Sequence, residues 1–263
     1  MGRRTFLQKI VIMKSILKPV LIVFGWIVVF QANALDNRYS IETFDLYIQG
    51  KMPQWIDIIG QMEANPSQTT PLQMQTLQYY YGLVGHLIDK KQNDQASQVL
   101  KKANSLLAVV EKKLPDDPVV CGLKSNFIGF SIALSPVKAT ILFRGMLKSA
   151  HKAIEKGKDN AFANILYANI LFYMPNMFGG DNNKALDCYK QALSIMEQTP
   201  GETVNNWLYI QTMVSVALVN EKMNNYPAAK QQLLQLMEIE PRYTYVKDVL
   251  YPRLLKEMEK GTN

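Results

Sequence analysis

The side chains that most often carry out catalysis or bind metals are few in this chain. It has two histidines, His86 and His151, and two cysteines, Cys121 and Cys188. A zinc site needs three or four His, Cys or carboxylate ligands at short, characteristic spacings, and neither histidine has a second such residue at a metal-site spacing. A lone histidine on an amphipathic helix is usually a surface or packing residue. The sequence therefore predicts neither a metal site nor a bound cofactor.

Motifs of the common catalytic sites are also missing from the sequence. Residues 181–183 read Asp-Asn-Asn but lack the Gly and the terminal Glu of a calcium loop, so we predict that Asp181 caps the helix that follows it. No Gly-rich phosphate loop and no Gly-x-Ser-x-Gly elbow occurs. Gly179-Gly180 is predicted to form a turn. We therefore predict that the protein is not an enzyme.

The first 34 residues differ in composition from the rest of the chain. They contain five basic residues and no Asp or Glu, and the apolar run from Val20 to Phe30 is followed by Gln-Ala-Asn-Ala. This order is typical of a secretory signal, with cleavage between Ala34 and Leu35. A spanning helix would need about 20 apolar residues, and this run has 11. We predict a cleavable signal at 1–34, no membrane anchor after cleavage, and a periplasmic location.

Two details of this segment leave alternatives open. Gly2-Arg3-Arg4 with the residues after it resembles the twin-arginine export motif. If translation starts at Met13 instead, the remaining Met-Lys-Ser-Ile-Leu-Lys and the apolar run form a more ordinary secretion signal. We favour the start at Met13.

Removing the signal changes the charge of the chain. The full sequence has a formal net charge of +7, but without residues 1–34 there are 24 Lys and Arg against 22 Asp and Glu, a net of +2. That balance lacks the basic footprint of nucleic-acid binders, so we predict no nucleic-acid partner. After export, Cys121 and Cys188 would form one disulfide or remain as two buried thiols.

The periodicity of residues 35–263 is helical almost throughout. Three sites, Thr70-Pro71, Asp117-Pro118 and Ser135-Pro136, place a good N-cap residue directly before a proline, which is favoured in the first helical turn. No alternating strand pattern competes. The predicted helices are 40–50, 53–64, 71–90, 94–113, 118–133, 136–156, 159–173, 182–197, 204–222, 226–238 and 243–260.

Helical pairs at near-regular spacing predict an internal repeat. Small residues recur at the positions where two helices of a pair would approach, because residues three and four apart share a helix face. The last unit places Ala217 in its first helix, Asn224 in the turn, Tyr226 and Ala229 in its second helix and Pro241 at its close; an earlier unit has Gly180, Ala185, Tyr189 and Ala192, and another has Ala96, Leu100 and Ala103.

In these residues the chain resembles a tetratricopeptide-repeat protein, most specifically over 207–241. The resemblance implies an all-α, right-handed α-solenoid of about five helix–turn–helix pairs with a terminal capping helix, spanning 35–263. It also implies a concave groove, lined by the first helix of each pair, that holds a peptide or a partner helix. The candidate groove residues are Gln211, Val214, Leu218 and Glu221, together with Tyr79-Tyr80-Tyr81, of which at least one should face the groove.

One segment departs from the repeat. Residues 174–178, Met-Pro-Asn-Met-Phe, make the turn before Gly179-Gly180 longer than in a regular unit. Tyr173, Met177 and Phe178 are candidate contacts of this insertion, either with a ligand or within the turn itself. The segment 177–185 is similar to a turn in helical-repeat proteins of bacterial envelopes, including the soluble component of some solute transporters.

These observations lead to two functional hypotheses. We favour a non-enzymatic scaffold that binds a protein or peptide partner in the cell envelope. The alternative is a small-ligand-binding accessory module of a solute uptake system, which predicts a closed cavity or axial pore near residues 173–181.

Overall fold

The predicted helices are present along the chain as far as the structure describes it. The computed structural model describes residues 38–260, so the predicted cleavage site at Ala34 and Leu35 lies outside this range. The eleven α-helices of the described part are α1 (38–48), α2 (Trp55–Glu63), α3 (Thr70–Asp89), α4 (Asn93–Lys113), α5 (Pro118–Leu134), α6 (Ala139–Lys156), α7 (Ala161–Tyr173), α8 (Asn182–Gln198), α9 (Trp207–Lys222), α10 (Tyr226–Ile239) and α11 (Tyr251–Lys260). No strand occurs among these residues, and the predicted all-α class is confirmed.

Two of the four predicted helix caps are present. The Asp117 side chain accepts hydrogen bonds from the backbone N–H groups of Val119 and Val120, and Asp181 caps α8 as predicted. The cap of α3 is Thr69 rather than Thr70, which already belongs to the helix. Ser135 makes no capping hydrogen bond, since a short 3₁₀ turn at Pro136–Lys138 precedes α6. The predicted last helix is divided by a π-helical turn, Val246–Leu250, before α11.

Successive helices pack as antiparallel pairs that stack on one another. The packing divides at Glu42 and Thr43, and the contacts described below belong to the part from Thr43 onward. Within it, α3 pairs with α4, α5 with α6, α7 with α8 and α9 with α10. The first helices contact each other in the order α3, α5, α7, α9, and each second helix contacts the next first helix. This is the arrangement expected of stacked helical repeats; the solenoid and its hand stay predictions.

The small residues predicted at the close approaches are buried. Ala96, Ala103, Ala185, Ala192 and Ala229 are all fully shielded from solvent. A larger side chain at such a site would separate two helices in contact, so these alanines fix the spacing within each pair.

Three of the four turns inside the pairs use a residue in the left-handed conformation. Lys91 after α3 has φ of 58°, Gly179 after α7 has 104°, and Asn224 after α9 has 60°. Gly180 is required for a different reason: a Cβ at that position would lie 1.9 Å from the carbonyl oxygen of Met174. The pair Gly179-Gly180 therefore lets the inserted residues turn tightly back into α8.

Candidate functional site

The three consecutive tyrosines of α3 are mostly interior residues. Tyr79 and Tyr80 are buried, and only Tyr81 is half-buried. Burial and the neighbouring carboxylate of Glu63, which accepts a hydrogen bond from the hydroxyl, raise the pKa of Tyr80. Tyr79 and Tyr80 therefore do not face an open groove. The prediction was that at least one of the three tyrosines faces it, and Tyr81 is the one that is only half-buried.

Six aromatic side chains converge along the first helices of the pairs. This aromatic core consists of Tyr47, Trp55, Tyr79, Tyr81, Trp207 and Tyr243. The ring centroids of Trp55 and Trp207 are 5.0 Å apart, those of Trp55 and Tyr79 are 5.5 Å apart, and those of Tyr47 and Tyr243 are 5.2 Å apart. Trp55 is completely buried although it comes from α2. The N-terminal helices thus contribute side chains that pack against α3 and α9.

Hydrogen bonds fix this packing at the predicted groove. The hydroxyl of Tyr47 donates to Oε1 of Gln211 at 2.7 Å and accepts from the hydroxyl of Tyr243 at 2.8 Å. Val214 is buried. Gln211 and Val214, predicted to line a groove open to a partner, are therefore covered by the chain itself, because α1 and α2 fold onto α9, a long-range contact that a repeat pattern does not encode.

A second group of hydrogen-bonded side chains connects three helices, α3, α7 and α8. The side-chain amide of Asn169 in α7 donates to the hydroxyl of Tyr81 in α3 and accepts from that of Tyr189 in α8. Burial raises the pKa of Tyr81 and of Tyr189. The hydroxyls are therefore neutral at physiological pH, and the group holds α3, α7 and α8 together.

The remaining groove candidates border an open cleft. Leu218 and Glu221 of α9 lie beside Tyr173 at the end of α7, so the structure brings together residues from both candidate sets. The cleft has a volume of about 560 Å³. Its lining residues are Phe172, Tyr173, Leu218, Glu221, Lys222, Asn224, Tyr226, Arg253 and Glu257.

Charged side chains of both signs rim this cleft. Nζ of Lys222 donates to the carbonyl oxygen of Phe172 at 2.7 Å and lies 4.5 Å from the centre of its ring. Arg253 of α11 forms an ion pair with Glu221 at 2.6 Å. The cleft thus combines aromatic side chains with two cations and two carboxylates, Glu221 and Glu257, and Lys222 is the cation that is not paired with a carboxylate of the described residues.

The sequence did not indicate Lys222 or Arg253 as site residues. Lys222 ends α9 and Arg253 belongs to the last helix, and neither lies in a recognisable motif. They meet only because α11 packs back against α10 near the end of the array. The only feature of the sequence that pointed towards Arg253 was the predicted terminal helix. A sequence pattern does not specify which helix that terminal helix contacts.

The other insertion residues point away from the cleft lining. Met177 is 83% exposed and Phe178 is 53% exposed. Phe178 contacts Phe143 of α6 in an edge-to-face arrangement, with ring centroids 5.8 Å apart. Met174, by contrast, is buried against Met146 and Ile170. The insertion is therefore anchored by Met174 and presents Met177 and Phe178 at the surface.

The histidines and cysteines differ in burial: Cys121 is buried, His86 and Cys188 are half-buried, and His151 is exposed. Partial burial, and then the charge of Lys90, lower the pKa of His86. Cys121 and Cys188 are both free thiols. Burial raises the pKa of Cys188 to about 11, and burial likewise raises that of Cys121. Because the thiolate is the reactive form, both cysteines are poor nucleophiles at neutral pH.

The described residues contain neither a metal-binding cluster nor a helix that could span a membrane. Among residues 38–260, no three His, Cys, Asp or Glu side chains cluster so that they could hold a metal ion. Within the same range, every helix is too short or too polar to cross a bilayer.

Fold and site together define a class: an all-α protein of stacked helical pairs, with a filled aromatic core along its first helices and an open aromatic cleft near its C-terminal end. The sequence matches no profile of a known protein family and no curated protein. Among solved structures, it is similar to the HusA haemophore from Porphyromonas gingivalis, with a TM-score of 0.55 and 17% sequence identity, over 73% of this chain and 93% of that one. This likeness concerns the fold.

Proposed function

We propose that the protein is a non-enzymatic binding module of an uptake system that holds a small amphiphilic ligand in the cleft between α7, α9 and α11. A porphyrin such as haem is the first ligand to test, since the similar fold is that of a haemophore. The observation that carries the proposal is the cleft itself, where the exposed ring of Tyr173 lies beside Lys222, a cation that is not paired with a carboxylate in the described part of the chain.

The size and lining of the cleft support a small ligand. Its volume of about 560 Å³ falls within the range of roughly 300–1,000 Å³ that is usual for small-molecule sites. Tyr173, which is 71% exposed, and the half-buried Tyr226 supply aromatic surface for a flat apolar ligand. Lys222 has three N–H donors and uses one on the carbonyl of Phe172, so it can also bind a ligand carboxylate.

A protein or peptide partner in the concave groove is the second candidate. Gln211 is occupied by Tyr47, and Trp55 is packed against Trp207. A peptide would have to displace these buried contacts before it reached the first helices. We therefore place the small ligand ahead of the peptide.

The proposed place of action is outside the cytoplasm. The basic, acid-free start and the apolar run of residues 1–34 support export. The periplasm is the compartment that we propose. Sequencing the N-terminus of the protein recovered from the periplasm tests this, and a start at Leu35 is the expected result.

The cleft is tested by titrating the protein with haemin and with metal-free protoporphyrin, followed by absorbance. We expect saturable binding, weakened by about tenfold in Tyr173→Ala, since one lost aromatic contact is worth about 1.4 kcal/mol. Phe178→Ala is the matched control, because Phe178 belongs to the same insertion but does not line the cleft. Equal binding of both porphyrins would mean that the iron is not a required contact.

Two results would overturn the proposal. Absence of saturable binding by either porphyrin would remove haem and its relatives as ligands. Binding that is unchanged in both Tyr173→Ala and Arg253→Gln would place the ligand elsewhere on the protein.

A further inference from the structure

Four large apolar side chains protrude at one place on the surface. Val137 is 76% exposed, Ile141 83%, Met177 83% and Phe178 53%. We call these four residues the apolar edge. Such side chains are normally buried, and a contiguous exposed set of them marks a contact surface.

The four residues lie at the same end of the helical array. Val137 and Ile141 follow the end of α5, and Met177 and Phe178 follow the end of α7. Because α6 returns antiparallel between them, α5 and α7 end on the same side. The contact between Phe143 and Phe178, with ring centroids 5.8 Å apart, joins the two segments directly.

The apolar edge is continuous with a basic face of α6. Val137, Ile141, Arg144 and Lys148 are spaced by three and four residues and are all exposed, so they form one stripe. Residues 136–154 contain no Asp or Glu. Within the described part of the chain, neither Arg144 nor Lys148 forms an ion pair, and the same holds for Lys138.

We infer that the apolar edge docks the protein onto the surface of a lipid bilayer that carries anionic phosphate headgroups. Apolar tips that enter the acyl boundary, followed by cations at headgroup level, are the pattern of interfacial membrane binding. A protein partner that buried the edge alone would not account for an unpaired basic stripe with no acidic residue.

The dimensions of α6 fit this geometry. At a rise of 1.5 Å per residue, Arg144 lies about 4.5 Å and Lys148 about 10.5 Å along the helix from Ile141. The headgroup layer of one leaflet is about 5–7 Å thick. With α6 along the bilayer normal and Ile141 at the hydrocarbon boundary, Arg144 lies within the headgroup layer. Lys148 lies about 3.5 Å beyond the layer, and its long side chain extends back towards the phosphates.

This inference goes beyond the proposed ligand and does not depend on it. Tyr173, which lines the cleft, directly precedes the insertion that carries Met177. Docking through the edge would therefore bring the cleft close to the bilayer.

The test is flotation of the exported chain, its N-terminus verified by intact mass, with vesicles of phosphatidylcholine that contain phosphatidylglycerol or lack it. We expect flotation with the anionic vesicles only, and its loss in Ile141→Asp and in Met177→Asp. Arg144→Gln and Lys148→Gln should each weaken binding by about fivefold. Val204→Asp is the control, because Val204 is 66% exposed but lies in the connection between α8 and α9.

Several outcomes would overturn the inference. These are no flotation of the wild type, equal flotation with neutral vesicles, or equal flotation of the edge variants and Val204→Asp. Self-association without vesicles that Met177→Asp abolishes, measured by sedimentation, would assign the edge to a second copy of the chain. No porphyrin is present in these experiments, so their failure is distinct from failure of the ligand proposal.

Discussion

The aromatic core and the apolar edge contain similar side chains in opposite surroundings. Trp55 in the core has none of its surface exposed, whereas Met177 at the edge is 83% exposed. The core joins segments that are far apart in sequence, as the contact between Trp55 and Trp207 shows. The edge is formed by two short segments that follow neighbouring helices.

This difference in exposure means that residue type alone does not separate positions that stabilise the fold from positions that are available for binding. Burying a large aromatic side chain contributes a few kcal/mol to the stability of the fold. An apolar side chain that stays exposed in the folded protein can instead contribute such free energy to binding, when another molecule covers it. Mutations should therefore affect stability in the core and binding at the edge, and this separation can be measured.

The largest expected effect is that of Trp55→Ala. Removing a fully buried tryptophan should lower the free energy of unfolding by about 3–5 kcal/mol, and it also removes the hydrogen bond from Nε1 to the carbonyl of Thr43. Met177→Ala at the edge should stay within about 0.5 kcal/mol of the wild type. Urea unfolding followed by far-ultraviolet circular dichroism compares the two. A cost below about 1 kcal/mol for Trp55→Ala would mean that α2 does not fill the groove.

The next prediction compares the same substitution, glycine to alanine, in the aromatic core and on α6. A Cβ on Gly82 would lie 2.6 Å from the ring of Trp55 and 2.8 Å from that of Trp207, so Gly82→Ala should destabilise by about 1–3 kcal/mol through overpacking. Gly145 in α6 has no atom within 4 Å of the same position. Gly145→Ala should therefore stabilise, by about 0.5–1 kcal/mol. Thermal unfolding measures the melting temperature of both variants. Changes of the same sign in the two melting temperatures would mean that the aromatic core is not closely packed around Gly82.

Local features of the sequence predicted the helices well. Most boundaries agree to within two residues, because capping residues, prolines and apolar periodicity act within a single helix. Asp117 and Asp181 illustrate this, since each caps the helix that it precedes. Two caps were placed wrongly. Thr69 rather than Thr70 caps α3, because two equivalent side chains are adjacent, and Ser135 precedes a 3₁₀ turn instead of capping α6.

The site was predicted only in part, because it depends on contacts between distant segments. Leu218, Glu221 and Tyr173 do border the cleft, but nothing in the sequence places Arg253 beside them. Likewise, the repeat pattern implies an open groove at Gln211, and only the fold of α1 and α2 shows that Tyr47 covers it. The helical periodicity of a sequence predicts which side of a helix a residue lies on, but not which other helix packs against that side.

A smaller effect compares the aromatic core with the cleft through a single hydroxyl group in each. In Tyr47→Phe, Gln211 loses a donor and Tyr243 loses an acceptor, and both contacts are buried or partly buried. We expect a loss of about 1–2 kcal/mol. Tyr173→Phe should change stability by less than about 0.5 kcal/mol, because Tyr173 is 71% exposed. Equal effects of the two substitutions in urea unfolding would mean that the hydroxyl of Tyr47 does not hold the core.

The smallest expected effect is a dependence on pH at the border of the core. Arg242 donates hydrogen bonds to Glu240 and forms an ion pair with Asp45 of α1 at 3.4 Å. The hydrogen bonds from Arg242 lower the pKa of Glu240 below its ordinary value of 4.5. A carboxyl group whose pKa is lower in the folded state stabilises the fold above its ordinary pKa. That contribution is lost as the pH falls through the folded pKa.

Glu240→Gln tests this contribution. Well above pH 4.5 the wild type should be more stable than the variant by less than about 1 kcal/mol, since Arg242 is largely exposed and the pair is screened by solvent. The difference should shrink as the pH falls below 4.5, because the wild-type carboxylate becomes protonated. Melting temperatures across that range measure it, with Glu257→Gln at the rim of the cleft as the control. A difference that stays constant with pH would assign the effect to packing, and the ionised Glu240 would then not contribute to holding the border of the core.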